Sequence, residues 1–579
     1  MNTFNNLVFL VKPYWRHGRL YLLGRLTIPL LILPAIAFLQ VTLVQRVIEA
    51  ISAGATMEEV LILAGTIVGS IFVLTATRWS FLLLYDRWKV AEIRNRINRS
   101  IYVQSIATDY RYFDNPEFYN DFTFAVGELA AKSEAALTLL SDLIETATII
   151  ITMTAYLAFL GPWMILISLL GQGICLLAQK RIEALGIQIR SESLPHERKL
   201  QYIHRLAYQR QYAADLKSTS LPKAFFAIFD NSGAAKVAIS RRLSPANLKA
   251  NMVQFVAWHL CQFAQLAYLI YCAYTQYLGL GMITGMFAAA GRLNDQLNRF
   301  VGLSGRGMEL NLYTQKIRTF FAYPSVIEPQ ETGLAAPAKA FSLELRNVSF
   351  SYPDSEFSLH NINLKVAAGD RIAIVGENGV GKTTLAKLLL RLYDVDSGEI
   401  LYNGEPLKEY AIHDLRQRIG VAFQEPQIYA LGVRQYLQTY HESEDEVLQD
   451  LLTQVGLPLD LDAQLTREFD SRGVMLSGGQ GQKLGLVRLL HGEFGLLLLD
   501  EPSAALDPLA EDAMVRLIFQ QATTTTIMVA HRLSTVRDAD CIYLLADGSI
   551  AEMGSHDELM ALGGRYARMF ARQRENYVR

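Results

Sequence analysis

Apolar residues are distributed unevenly along the chain. Long unbroken apolar runs fill the first three hundred residues and then stop, and short β-rich runs alternate with helical ones to the end. A bilayer core about 30 Å thick needs about 20 mostly apolar residues in a helix that rises 1.5 Å per residue. Six segments meet that length, at 22–46, 60–85, 135–160, 162–178, 252–275 and 281–303. The third and fourth are separated only by Gly161-Pro162, which predicts a helical hairpin. "AGRLNDQLNRF" interrupts the sixth with Arg292, Asn294, Asp295, Asn298 and Arg299. Either the helix ends early and the polar run is cytosolic, or one face lines a water-filled path, as ionisable groups at membrane depth do.

Lys12, Arg16 and Arg19 precede the first segment, Arg87, Lys89, Arg94, Arg96 and Arg99 follow the second, and Lys180 and Arg181 follow the fourth. The opposite loops near 47–59 and 276–281 carry Glu49, Glu58 and Glu59 and no basic residue. The positive-inside rule therefore places both termini in the cytosol. "NLVFLV" is too short for a signal-peptide core, and the N-terminal stretch with Tyr14 and Trp15 reads as an amphipathic helix on the membrane surface. The long charged stretches after segments two and four predict membrane helices that continue into the cytosol and turn there.

Beyond residue 303 the expected organisation is a Pro- and Ala-rich linker at 321–342, then an α/β domain with a largely parallel sheet over 343–579. The expected fold class is an α-helical six-span membrane domain over 1–320 followed by an α/β domain with a helical subdomain. Composition agrees: 51% hydrophobic residues in 579 and a mean hydropathy of +0.18 fit a chain that is half membrane protein. A net charge of −2 supplies no basic stripe for nucleic acid. Cys175, Cys261, Cys272 and Cys541 form no C-x-x-C pair, so they read as inert, and His259 stands mid-way along the fifth segment.

The chemistry is concentrated in the second half. The strand "RIAIVG" runs into "ENGVGKTT", which fits G-x-x-x-x-G-K-[ST] with Gly376, Gly381, Lys382 and Thr383 in the fixed places. Glycines there let backbone N–H groups turn on phosphates, Lys382 neutralises their charge, and the Thr383 hydroxyl suits Mg²⁺. The strand "GLLLLDEP" ends in Asp500, placed for the Mg²⁺ shell, and Glu501, placed to take a proton from an attacking water. "TTIMVA" delivers His531 to the same sheet edge. "LSGGQ" offers a second cradle at Ser477, Gly478, Gly479 and Gln480.

These motifs, in this order, resemble the nucleotide-binding domain of ATP-binding cassette (ABC) transporters, and six apolar segments ahead of one cassette resemble the exporter-type half-transporter. The resemblance implies an ATPase coupled to transport, with ATP and Mg²⁺ as cofactors. It implies that Tyr352 of "FSYP" stacks on adenine, that the loop Gly376, Glu377, Asn378, Gly379, Val380, Gly381, Lys382, Thr383 and Thr384 holds the phosphates, and that Thr383, Gln424 and Asp500 serve the metal. Gln424 of "VAFQEP" also senses the γ-phosphate, Glu501 is the catalytic base, His531 the switch and Asp507 part of the D-loop. Ser477 and Gly479 would close over the ATP held by a partner's Lys382, so the chain is expected to work as a dimer. The intact Glu501, His531 and LSGGQ favour a homodimer over a heterodimer. "YRYFDNPEFYNDF" at 110–122 and, more loosely, 210–225 resemble the coupling helices that touch the cassettes.

The expected cargo is a small amphipathic molecule, lipid or peptide moved out of the cytosol across a bacterial plasma membrane. Import by the same architecture and a heterodimeric subunit stand as alternatives. Two departures from the family pattern are Gly481, where a basic residue is common, and Gly485, where alanine is. Each glycine weakens its helix by about 1 kcal/mol relative to alanine.

Overall fold

A computed structural model describes residues 3–275, 278–328, 332–337, 339–353, 357–502, 508–519 and 524–578. The chain divides into two compact units, Met1–Ser105 with Asn120–Ala322, and Ile106–Tyr119 with Tyr323–Arg579.

The first unit is entirely helical among the described residues. Five helices are long and apolar enough to cross a membrane: Arg19–Ser52, Met57–Ile106, Pro116–Leu160, Pro162–Tyr208 and Leu221–Tyr274. Each contains one of the first five predicted segments. Pro162–Tyr208 has 47 residues and at 1.5 Å each is about 70 Å long, more than twice the hydrocarbon thickness. The long charged stretches are therefore helical continuations, as expected. Gly161 caps the hairpin with an extended backbone, and Pro162 follows at the first helical turn, where its missing N–H costs no bond. The short helix Arg210–Ser218 occupies the second of the two stretches that resemble coupling helices.

The sixth predicted segment differs from expectation. It lies in the helix Leu280–Phe321, which is not among the five, because its polar residues dilute the apolar run. The helix does not end at them. Asn294 is buried and donates to Gln265 Oε1 at 2.9 Å, and Gln265 in turn donates to Ser168 Oγ at 2.8 Å. Arg299 pairs with Asp142 and Glu145 on Pro116–Leu160, each at 2.8 Å. The Asn294 amide N–H thus finds a partner on another helix, while its Oδ1 is buried with none, and the exposed Arg299 is held by carboxylates across the helix boundary. Arg292 and Asp295 are exposed in this chain. His259 is also exposed, and its Nδ1 lies 2.9 Å from the carbonyl of Phe255 one turn earlier, so its contact is local and not interhelical. The apolar core of this unit gathers Ala37, Val41, Met153, Leu157, Met164, Leu269, Met286 and Leu293.

Among the described residues the second unit holds ten strands: β1 Leu343–Ser351, β2 Ser358–Val366, β3 Arg371–Val375, β4 Ser397–Tyr402, β5 Glu405–Pro406, β6 Ile419–Ala422, β7 Leu496–Asp500, β8 Thr525–Ala530, β9 Cys541–Ala546 and β10 Ser549–Gly554. They form an antiparallel sheet in the order β2-β1-β4-β5 and a larger sheet in the order β10-β9-β3-β8-β7-β6. In the larger sheet β9, β3, β8, β7 and β6 are parallel. β7 and β8 are buried at every position, the signature of a parallel sheet covered on both faces. One apolar cluster joins the small sheet to one face of the large sheet, and the other packs the helical subdomain on the opposite face.

Residues 106–119 belong to this second unit, although the sequence places them between membrane segments. Asp109 is fully buried and its carboxylate accepts the backbone N–H groups of Val326, Ile327 and Glu328 at 3.0–3.2 Å. Glu328 then accepts two bonds from Arg416, at 2.8 and 3.0 Å, and Arg416 also donates to the carbonyls of Leu390 and Arg391. Tyr110 stands edge-on to Tyr393 at 5.6 Å, and the Tyr393 hydroxyl donates to Asp114. Three consecutive amides around one carboxylate form an anion nest in the linker. Asp109→Ala leaves these amides without their acceptor and is expected to destabilise the second unit by about 2–3 kcal/mol, read as a lower denaturation midpoint of the detergent-solubilised protein.

Candidate nucleotide site

The site is assembled where β3, β7 and β8 leave the parallel sheet at their carboxyl ends. β3 delivers the loop 376–381, which turns into the helix Lys382–Leu389. Two glycines make the turn possible. A Cβ at Gly376 would lie 2.3 Å from the carbonyl oxygen of Leu545. Gly381 has φ +103, and its Cβ would meet Phe357 at 2.5 Å. The Lys382 ammonium is folded back onto the carbonyls of Gly376 and Glu377, both at 3.0 Å. Burial lowers its pKa, against the pull of Glu501 and Asp500. An ammonium in that position is short of counter-charge, which a polyphosphate supplies.

β7 delivers Asp500 and Glu501. Asp500 is buried, burial raises its pKa, and the Thr383 hydroxyl is a hydrogen-bond partner that opposes the rise. Its Oδ1 is buried with no hydrogen-bond partner. Glu501 is one of the few non-glycine residues in the left-handed region, at φ +48. Its N–H still bonds the carbonyl of Val529 at 3.0 Å, so the strained turn is held by the neighbouring strand. The turn aims the carboxylate between two partners: Gln424 Nε2 donates to Oε2 at 2.9 Å, and His531 Nε2 meets Oε1. Burial raises the pKa of Glu501 and lowers that of His531. Both shifts are toward the uncharged forms.

A cavity of about 450 Å³ opens between these elements, lined by Tyr352, Phe357, Asn378, Gly379, Gly381, Lys382, Thr383, Thr384, Gln424, Glu501 and His531. One mouth is aromatic, with the Tyr352 hydroxyl 3.2 Å from Thr384 Oγ1, and the floor is charged. Its volume and lining suit a nucleotide with its base at the aromatic end and its phosphates over the loop.

The ABC transporter family profile matches residues 359–504, which contain the phosphate loop, the second cradle, Asp500 and Glu501. Residues 359–504 form an ABC transporter domain. The chain is 34% identical over 309 residues to the ATP-dependent lipid A-core flippase of Salmonella paratyphi A, a stretch covering 51% of this chain and 52% of the flippase. It is 36% identical over 262 residues to ABC transporter B family member 1 of Arabidopsis thaliana, covering 43% of this chain and 20% of that protein. The match thus spans about half the length of the flippase and less of the plant protein. The structure of a bacterial Atm1-family ABC exporter with ATP bound superposes with a TM-score of 0.78 and 20% identity, over 96% of this chain and 98% of the other. That likeness shows the fold of an exporter-type half-transporter, with helical membrane domain and cassette in one chain.

Within this chain the second cradle does not line the cavity. Ser477 caps the helix Gly478–Leu490: its Oγ accepts the N–H of Gln480 at 3.3 Å, and Gln480 Oε1 accepts the N–H of Ser477 at 2.9 Å. This reciprocal capping box occupies both side chains on an exposed surface. Asp507 lies outside the described residues. Two residues that sequence reading passed over also belong to the site. Phe357 walls the cavity and packs beneath the phosphate loop. Buried Gln482 donates to the carbonyl of Gln424 at 3.3 Å, tying the second cradle's helix to Gln424. A second glutamine two residues beyond "LSGGQ" was the available signal for Gln482; Phe357 had none beyond its aromaticity.

Gly481 and Gly485 are both buried in that helix. A Cβ at Gly481 would meet Ile428 at 3.6 Å, and one at Gly485 would meet Pro426 at 3.4 Å, ordinary contact distances. Nothing in the packing therefore requires glycine at either place. Gly485→Ala is expected to stabilise the cassette by up to about 1 kcal/mol through helix propensity, measurable as a raised Tm.

Proposed function

We propose that this chain is one half of a dimeric ATP-hydrolysing exporter that moves a lipid or lipid-like amphipathic molecule out of the cytosolic leaflet. The observation that carries the ATPase reading is Glu501, held in a left-handed turn after β7 with its carboxylate between Gln424 and His531, in the cavity that the phosphate loop also lines. There it takes a proton from a water that attacks the γ-phosphorus, as the bond to the ADP oxygen breaks. Lys382 leaves its loop carbonyls for the phosphate oxygens, and His531 orients the base. The orphaned Oδ1 of Asp500 beside the Thr383 hydroxyl fits the water shell of Mg²⁺, which when bound supplies positive charge between the phosphates.

Dimerisation is supported by the separation of the two cradles. Ser477, Gly478 and Gln480 are exposed, Gly479 is half-buried, and none of the four lines their own chain's cavity, so a second copy would bring its own set over Lys382. With both cradles and Glu501 present in one sequence, a homodimer needs no other gene product. Met57–Ile106 offers Leu61, Ile62, Phe72 and Val73 to its surroundings, each at least 60% exposed, consistent with a surface that meets acyl chains or a partner. The flippase relatives supply the lipid class. The closing motion of two cassettes would drive inward- and outward-facing packings of the membrane helices.

The test is ATP hydrolysis by the purified chain in lipid vesicles, with lipid A-type glycolipid, phospholipid or peptide added separately. Stimulation by the glycolipid and its movement between leaflets are expected; stimulation by peptide alone overturns the lipid class. Glu501→Gln is expected to bind ATP and lose hydrolysis, and near-normal turnover would remove Glu501 as the base. Because burial raises the Glu501 pKa above the ordinary 4.5, the base protonates earlier as pH falls. The acid limb of kcat/KM for ATP therefore lies above pH 4.5, and a profile flat down to that pH contradicts the assignment.

A further inference from the structure

The C-terminal helix Arg565–Val578 is the last element of the chain and carries none of the motifs described above. Its inner stripe runs Tyr566, Met569, Phe570 and Gln573, the spacing of one helical face. The first three are apolar and join the core of the cassette: Tyr566 is fully buried, and Met569 and Phe570 pack against the same cluster. The helix start is fixed by Glu552, which accepts the N–H groups of Arg565 and Tyr566, and by the Tyr566 hydroxyl 2.9 Å from His556 Nδ1. Gln573 breaks the apolar pattern at the place where the stripe meets the loop after β8.

Both ends of the Gln573 amide are used there. Its Nε2 donates to the carbonyl of His531 at 2.7 Å, and its Oε1 accepts the N–H of Leu533 at 2.9 Å. These backbone groups bracket Arg532, just beyond the last residue of β8, where the sheet ladder no longer fixes the peptide planes. The only backbone carbonyl between them, that of Arg532, accepts the Thr535 hydroxyl at 2.6 Å. The Arg532 guanidinium is drawn to Glu511. The backbone that carries the His531 imidazole toward Glu501 is thus oriented by one side chain from the far end of the sequence.

We propose that Gln573 is a positioning residue for His531, and that the C-terminal helix thereby sets how well the His531–Glu501 contact is formed. This rests on the ATPase reading above for its consequence, but not for its geometry. A side-chain amide that bridges a carbonyl and an amide two residues apart fixes two peptide planes at once, which a single bond cannot. Because a small misplacement of a catalytic group costs rate more than binding, loss of the bridge acts on turnover.

The experiment compares wild type with Gln573→Ala and Gln573→Met, the latter keeping side-chain length and helix propensity while removing both hydrogen bonds. Hydrogen exchange followed at the Leu533 amide reads the bridge directly, and ATPase kinetics read its consequence. Both variants are expected to exchange Leu533 faster. Their kcat should fall about tenfold, the cost of one oriented hydrogen bond, with KM for ATP changed less than about twofold and Tm close to wild type. If Leu533 exchange is unchanged in both variants, or if it quickens while kcat holds, the proposal is overturned. A loss of kcat in Gln573→Ala that Gln573→Met restores also overturns it, because packing and not hydrogen bonding then accounts for the effect. If wild type hydrolyses no ATP, the ATPase reading fails, and the exchange arm still decides whether Gln573 holds the loop.

Discussion

The site depends on one constraint: parallel strands end at a common edge, and each chain segment that leaves that edge must satisfy its backbone without the ladder. β3, β7 and β8 are neighbours in the sheet order, so Gly376, Asp500, Glu501 and His531 are delivered side by side although more than a hundred residues separate the first two in sequence. The exits are strained or borrowed. Gly381 and Glu501 adopt left-handed backbone, and His531 relies on Gln573 for its carbonyl. Ordinary peptide geometry at any of these places would carry the chain away from the cavity.

Electrostatics follow from that crowding. Lys382, Asp500, Glu501 and His531 lie close together at the end of an apolar sheet, and each has its pKa moved by burial toward the neutral form. Groups held in that condition would gain by the arrival of a charged ligand, whose charge replaces the solvation that burial removed. The resting contacts are temporary partners in this sense: Lys382 bonds loop carbonyls, and Gln424 bonds Glu501. Each is available for exchange at low cost.

The second cradle and residues 106–119 lie outside the cavity and are held by polar contacts of their own. Ser477 and Gln480 satisfy each other while exposed. Asp109 binds a linker amide nest, and the linker's Glu328 holds Arg416, which reaches the carbonyls at the end of the phosphate-loop helix. That chain of polar contacts joins a loop lying between membrane helices in sequence to the helix that starts at Lys382. It runs through charged and buried groups, which hold geometry more firmly than exposed pairs do.

By itself the sequence determined the two-part plan, the approximate membrane segments, the phosphate loop and the acids at the end of β7. Those signals are local: apolar run length fixes a span, and a motif of fixed spacing fixes a turn. Only the tertiary structure decided that the helix Leu280–Phe321 continues through its polar run, since Gln265, Asp142 and Glu145, which satisfy that run, lie on other helices. The resemblance directed 110–122 to the cassettes, but only the structure showed how the stretch is held, with Asp109 accepting amides more than two hundred positions away. The structure likewise brought Phe357, Gln482 and Gln573 to the site. Their roles consist of single contacts between distant segments, and such contacts leave no periodicity or motif in a sequence to be read.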